Sequence, residues 1–339
     1  MSMIEDASAP SGTAIVAGGS AGVGRAVVER LIGRGYRVGV LARGEDRLRE
    51  MEREFGRTHL RGVVADVADH GAVDAAADEI VEAFGAPTVW VNSAMLTAFS
   101  PFSKMPAREF DAIVAATFTG QVNGTRTALR VMDGAREGSI VCIGSGLSYR
   151  AVPMQSAYVA AKHAINGFAQ SLRSELIAEK SPISLSLVQL PAINTPQFDW
   201  ARNRLEDHPQ PAPPIYQPDV AARAVMKAID GGNREILVGG SVLQLVFGDM
   251  VAPWVLDRML ARDGADMQQT GGADHPDLGP NTFRPAARHS SAKGTFGDRA
   301  KESGIIVDSD VARGMAFLGL PLVTMAAGAL GAAMMSRRR

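Results

Sequence analysis

TAIVAGGSAGVG, residues 13 to 24, is the stretch that decides the fold. Thr13 to Ala17 is a short apolar run of strand type, and the glycine turn after it opens directly into an amphipathic helical pattern over Arg25 to Ile32. Strand, glycine turn and helix in that order suit a dinucleotide. Gly18 allows a tight turn, Gly22 a close backbone approach to a pyrophosphate, and Gly24 close helix packing; the helix start at Val23 faces the phosphates. The same letters permit a rival, because Gly18-Gly19-Ser20-Ala21-Gly22 satisfies the GxSxG nucleophile elbow of hydrolases. An elbow normally follows several strands. This turn follows the first, and Gly24 serves a dinucleotide better than an acyl group.

Outward from the turn, apolar runs recur at 36 to 42, 60 to 64, 89 to 92, 139 to 144, 184 to 190 and 235 to 238. Between them lie amphipathic stretches such as Asp69 to Phe84 and Pro106 to Met132. Strands apolar on both faces, separated by helices, predict a doubly wound α/β domain, a Rossmann fold of about seven parallel strands with helices on both faces. It is placed at 11–261. Five prolines crowd residues 206 to 218, which excludes a helix interior or central strand, so 196–218 reads as a lid segment. Residues 262–312 are rich in Gly, Pro, Asp and Ser, the composition of a disordered linker. The run Val242 to Ala261 carries Asp249, Pro253, Asp257 and Arg258, and reads as a packing or dimer surface rather than a membrane span.

Composition excludes several classes. Lys+Arg 35 against Asp+Glu 36 leaves a formal charge of -1, too little positive field for nucleic acid. The single cysteine, Cys142, forms no internal disulfide, and the six histidines show no zinc spacing, so no metal site is expected. Residues 1 to 10 lack the apolar core of a secretory signal, which predicts a cytoplasmic protein.

A second motif is Tyr158-Val159-Ala160-Ala161-Lys162 inside a helical pattern. Spacing of four puts phenol and ammonium on one helix face, where the cation favours the ionised phenol. Ser145 lies thirteen residues earlier, at the carboxyl end of the run 139 to 144, where side chains face the ligand crevice.

Together the glycine turn, Ser145, Tyr158 and Lys162 resemble the short-chain dehydrogenase/reductase family over roughly residues 11 to 255. The resemblance implies that Ser145 holds the substrate oxygen, Tyr158 moves the proton, and Lys162 tunes Tyr158 and contacts the nicotinamide ribose. It further implies adenine contacts from Asp66 and Val67, cofactor contacts from Asn92 and Ala94 in Asn92-Ser93-Ala94-Met95, and carboxamide contacts from Thr195 in Pro191-Ala192-Ile193-Asn194-Thr195. One departure concerns the proton relay. Thr117 stands where the family often has an asparagine that holds a water, and it is carried as a catalytic candidate.

Cofactor choice is read at the end of the second run, where Arg43 stands nineteen residues after Gly24 in place of the acidic residue that selects NAD(H). Arg43, with Ser20, predicts NADP(H) in preference to NAD(H). The expected activity is hydride transfer between NADP(H) and a small apolar carbonyl or alcohol, with Phe198, Trp200 and Tyr216 as candidate pocket aromatics. A catalytically weak NADP(H)-binding sensor or scaffold is the alternative. A homodimer or homotetramer is expected. Finally, residues 315 to 335 are uncharged for 21 residues between Arg313 and Arg337, long enough to cross a bilayer but dominated by alanine and glycine in the second half. Residues 313–339 are thus a candidate membrane anchor, seated at the interface or spanning, with a soluble packing helix as the alternative.

Overall fold

The computed structural model describes residues 12–273 and 281–319. Its centre is an eight-stranded sheet: β1 (Gly12–Ala17), β2 (Tyr36–Ala42), β3 (Leu60–Val64), β4 (Pro87–Asn92), β5 (Gly138–Ile143), β6 (Ile183–Gln189), β7 (Glu235–Val238) and β8 (Ile306–Asp308). Their spatial order is β8-β7-β6-β5-β4-β1-β2-β3. All pairs are parallel except β7 with β8, where Leu237 lies opposite Val307. The expected seven strands are present, and β8, from the polar stretch, adds an antiparallel edge.

Side-chain alternation explains why these runs are apolar on both faces. Along β1, Ala14 and Val16 join Val38, Val40, Val141 and Val188 on one face. That face is covered by Val27, Val28 and Leu31 of α1 (Gly22–Gly33) and Val220, Ala224 and Val225 of α7 (Pro218–Gly231). Ile15 and Ala17 point the other way, with Trp90, Ile140, Cys142 and Leu187. There Val73, Ala77 and Ile80 of α3 (His70–Phe84), Ala128 of α5 (Gly120–Val131) and Ile165 and Ala169 of α6 (Ser156–Ala178) close the core. Further helices are α2 (Glu45–Phe55), and α8 (Gly239–Val251) with α9 (Pro253–Asp263), which stand beside the strand ends that bear the site. A single π-helical turn, Ala115–Thr119, joins α4 (Ala107–Val114) to α5.

The linker expectation for 262–312 is corrected where the chain is described. Residues 269–273 pair antiparallel with 207–209 of the proline-rich segment. Residues 281–299 lie against the body through hydrogen bonds to Arg43, Arg47, Ser20 and Asn194. Beyond them come β8 and the short helix α10 (Ser309–Gly314), whose Asp308 side chain caps its own first amides. Composition misjudged this stretch because its ties are mostly polar and backbone-borne rather than apolar. Of the candidate anchor, residues 320–339 lie outside the described residues. Among the described residues no helix is long and apolar enough to cross a membrane.

Candidate active site and cofactor cleft

A cavity of about 530 Å³ runs along the carboxyl ends of β1, β2, β4, β5 and β6. At one end the glycine turn forms its floor. Gly18 adopts φ +83, and a Cβ there would stand 2.4 Å from the Ala94 nitrogen. At Gly24 a Cβ would meet the Gly18 carbonyl at 2.2 Å. Glycine at 18 therefore lets the loop after β4 close onto the turn, and glycine at 24 lets helix α1 approach the end of β1. Gly18, Ser20, Gly22, Val23, Asp66, Val67, Ala94 and Thr195 all line the cavity. Gly24 contributes packing instead. These residues fit a dinucleotide: the glycine turn carries no side chain where a pyrophosphate needs close approach, and the first turn of α1 carries no acidic residue.

Two guanidinium groups stand beyond the glycine turn. Arg43, at the end of β2, and Arg47, on α2, both line the cavity. Arg47 Nε lies 3.4 Å from Ser20 Oγ, and its guanidinium carbon sits 5.4 Å from the centre of the Trp200 ring. Burial pushes the pKa of both arginines down. A serine facing an arginine has no base to take its proton, which disposes of the hydrolase elbow. Arg47 was not anticipated from the sequence. Its signal was available, because it lies four residues past Arg43 within the first turn of a helix.

At the other end Ser145, Tyr158 and Lys162 come together. Ser145 follows β5; its amide donates to Gln189 Oε1 at 2.8 Å and its hydroxyl accepts from Leu147 N at 3.1 Å. The Tyr158 hydroxyl bonds Ser145, and burial pushes its pKa up to about 12 against that hydrogen bond. Lys162 Nζ donates to the Ile143 carbonyl at 2.6 Å and stands 5.5 Å from the centre of the Tyr158 ring. Burial takes its pKa down to about 7. The expected electrostatic lowering of Tyr158 by Lys162 is thus not what sets the phenol: burial raises it, the Ser145 hydrogen bond alone opposes that, and desolvation favours the neutral form of each group. Neutral Tyr158 is the proton-donating form.

Behind Ser145 lies a buried network that sequence reasoning missed. Gln189 Nε2 donates to Glu235 Oε1 and Asn166 Oδ1, both at 2.8 Å, while Tyr149 donates to the same Glu235 oxygen. Arg313 of α10 is 3.7 Å from Glu235 Oε2. These residues are scattered over five elements with no common spacing, so only the fold joins them.

Three expectations are corrected. Thr117 does not reach the cavity: its hydroxyl donates to Leu96 O and accepts from Leu96 N, each at 3.0 Å, so its one proton is spent on the backbone of the loop after β4. Asn92 turns into the core, where it accepts from Trp90 Nε1 and donates to Thr125 Oγ1. Its neighbours Ser93 and Ala94 line the cleft instead. Phe198 and Trp200 line the cavity, whereas Tyr216 packs against Gly239 and Gly304.

A dinucleotide cleft that ends at a buried, protonated phenol is built for hydride transfer, the phenol moving the accompanying proton. Fold and cleft define a nicotinamide-dependent oxidoreductase. Residues 12–205 match the short chain dehydrogenase family, and the chain belongs to it. It is 28% identical over 253 residues to the uncharacterised oxidoreductase YxnA of Bacillus subtilis, covering 73% of this chain and 71% of that one. It is 33% identical over 220 residues to 2-(R)-hydroxypropyl-CoM dehydrogenase of Xanthobacter autotrophicus, covering 63% and 87%. To the 3-oxoacyl-[acyl-carrier-protein] reductase MabA of Mycobacterium avium it is 31% identical over 185 residues, covering 55% and 68%.

Proposed function

We propose that this protein is an NADP(H)-dependent reductase or dehydrogenase of a secondary alcohol or ketone carried on an apolar body. The observation that supports the cofactor preference is the pair Arg43 and Arg47 beside Ser20, at the adenosine end of the cleft. Two poorly solvated cations favour a dianionic 2'-phosphate over a neutral 2'-hydroxyl, and no acidic side chain follows β2 until Glu45. The nicotinamide supplies or accepts the hydride when bound. The chain does the rest: Ser145 orients the substrate oxygen, Tyr158 Oη gives its proton in reduction, and Lys162 holds the phenol's surroundings while reaching the ribose side.

Substrate character rests on the walls beyond Ser145, which are formed by Leu147, Val152, Phe198, Leu245, Leu256 and Met259. The names of two of the three relatives above place a hydroxyl or oxo group on an internal carbon of a chain, in keeping with a secondary alcohol or ketone. Membrane association through 315–335 is part of the proposal. Phe317 packs on Phe247 of α8 at 6.1 Å between ring centres, which puts the start of the run on the helix that also exposes Met250 and Val251. A homodimer or homotetramer is proposed as well.

Fluorescence titration of both cofactors tests the reading, with NADPH expected to bind at least tenfold tighter than NADH and Arg43→Ala to narrow the difference. Tyr158→Phe is expected to keep NADPH binding and lose about a hundredfold to ten-thousandfold in turnover of medium-chain ketones. Tighter binding of NADH overturns the cofactor assignment, and an undiminished rate in Tyr158→Phe removes the phenol from the chemistry.

A further inference from the structure

Residues 281–296 cross the cofactor cleft and are tied to both of its rims. On the α1 and α2 side, the carbonyls of Asn281 and Thr282 accept from Arg43 at 2.6 and 3.2 Å, and that of Ala286 accepts from Arg47 at 2.6 Å. Ser290 donates through its amide to Glu50 and through its hydroxyl to the Ser20 carbonyl, 2.8 Å away. The Ser291 carbonyl accepts from Gly22 N at 2.9 Å. On the opposite rim, Asn281 N donates to Trp200 O and Gly294 N to Asn194 O. Phe296 N donates to Asn194 Oδ1, and both Arg288 and Thr295 reach Asp199. A Cβ on Gly294 would stand 2.5 Å from the Thr195 carbonyl, so the crossing is pressed onto the rim where only glycine fits.

The cavity beside it stays open. Gly18, Val23, Asp66 and Thr195 line it, and of the crossing segment Asn281 lines it as well, while the Ser291 carbonyl holds the Gly22 amide that a pyrophosphate would take over. A segment fastened to both walls beside an open channel can close over it, and its partners on Arg43 and Arg47 are neutral carbonyls that position the guanidinium groups without cancelling their charge.

We propose that residues 281–296 are a clasp over the bound dinucleotide: they hold Arg43 and Arg47 toward the 2'-phosphate and must lift for the cofactor to leave. The proposal rests on the assignment of this cleft to a nicotinamide dinucleotide. It makes cofactor exchange slow and places the determinants of retention in the C-terminal extension, outside the matched 12–205. Opening breaks several hydrogen bonds at once, so closing is cooperative, and lid motions of this kind commonly limit turnover.

The test uses the full chain and two independent variants. Arg288→Ala combined with Ser290→Ala removes ties to Asp199, Arg25 and the Ser20 carbonyl. Gly294→Val drives the crossing off Thr195. Release of NADPH and of NADH is followed by stopped-flow displacement, with circular dichroism checking the fold. Both cofactors are expected to leave at least tenfold faster from the double variant, and NADPH to increase the protection of amides 282–296 from hydrogen exchange in the wild type. Should Gly294→Val fail to fold, the double variant alone decides. Unchanged release rates for both cofactors overturn the clasp. So does faster binding with unchanged release, which marks the segment as a competitor filling the cleft. Failure of the NADP(H) reading looks different: NADH then binds tighter in the wild type, yet both cofactors still leave faster from the variants.

Discussion

Lys162 is the residue whose surroundings decide most about the empty protein. It is almost fully buried, its ammonium donates to one carbonyl, and burial holds its pKa at about 7 against an ordinary value of 10.5. Between those two values the unfolded chain carries a proton that the folded chain lacks, so stability without cofactor rises with pH through the window from about 7 to 10.5. Tyr158 and Cys142 next to it have pKa values pushed up, so their acid forms change little in the lower part of that window. Lys162→Met removes the titrating group. In thermal melts without cofactor, its gain between pH 6.5 and 9 is expected to be smaller than that of the wild type, and parallel profiles would sink the assignment. Ser145, Tyr158 and Lys162 were legible in the sequence because their spacing is local to one strand end and one helix. Arg47, Gln189 and Glu235 were not, since nothing in the chain order says that they converge.

Among the elements, the interrupted helix of α4, the π turn and α5 shows how a familiar position can change its task. Thr117 sits in that turn with no exposure, and it satisfies both backbone groups of Leu96 in the loop after β4. Thr117→Val would orphan a buried N–H and a buried carbonyl, each costing about 1–3 kcal/mol. Urea midpoints are therefore expected to fall in Thr117→Val and to recover in Thr117→Ser, while turnover measured in the stable range of each variant stays within a few-fold. Normal stability with a collapse in rate would return Thr117 to the relay. The helix itself was readable from its period. What its threonine touches was not, because the partner is the backbone of another element. Strands β1 to β7 were equally legible as apolar runs, most of them buried on both faces, whereas β8 is only three residues long and half-buried, with no alternation to read.

For the whole molecule, the start of the apolar run, at Phe317, lies against Phe247 of α8, whose end and α9 expose Met250, Val251 and Trp254. Full-length protein is expected to remain with membranes through an alkaline carbonate wash, and a chain ending at Gly314 to be released. Equal release of the two would show that the run packs on protein. The order of the sheet carries a different consequence. Strand β8 covers the outer edge of β7, yet the ribosome delivers it about 70 residues later, roughly 4–14 s at ordinary elongation rates. For that interval the nascent domain presents an unpaired row of backbone donors and acceptors along β7, the kind of edge on which a neighbouring polysome chain can add a strand. The yield of active enzyme should thus depend on translation speed across 239–305, and slow codons there should favour aggregates over folded protein.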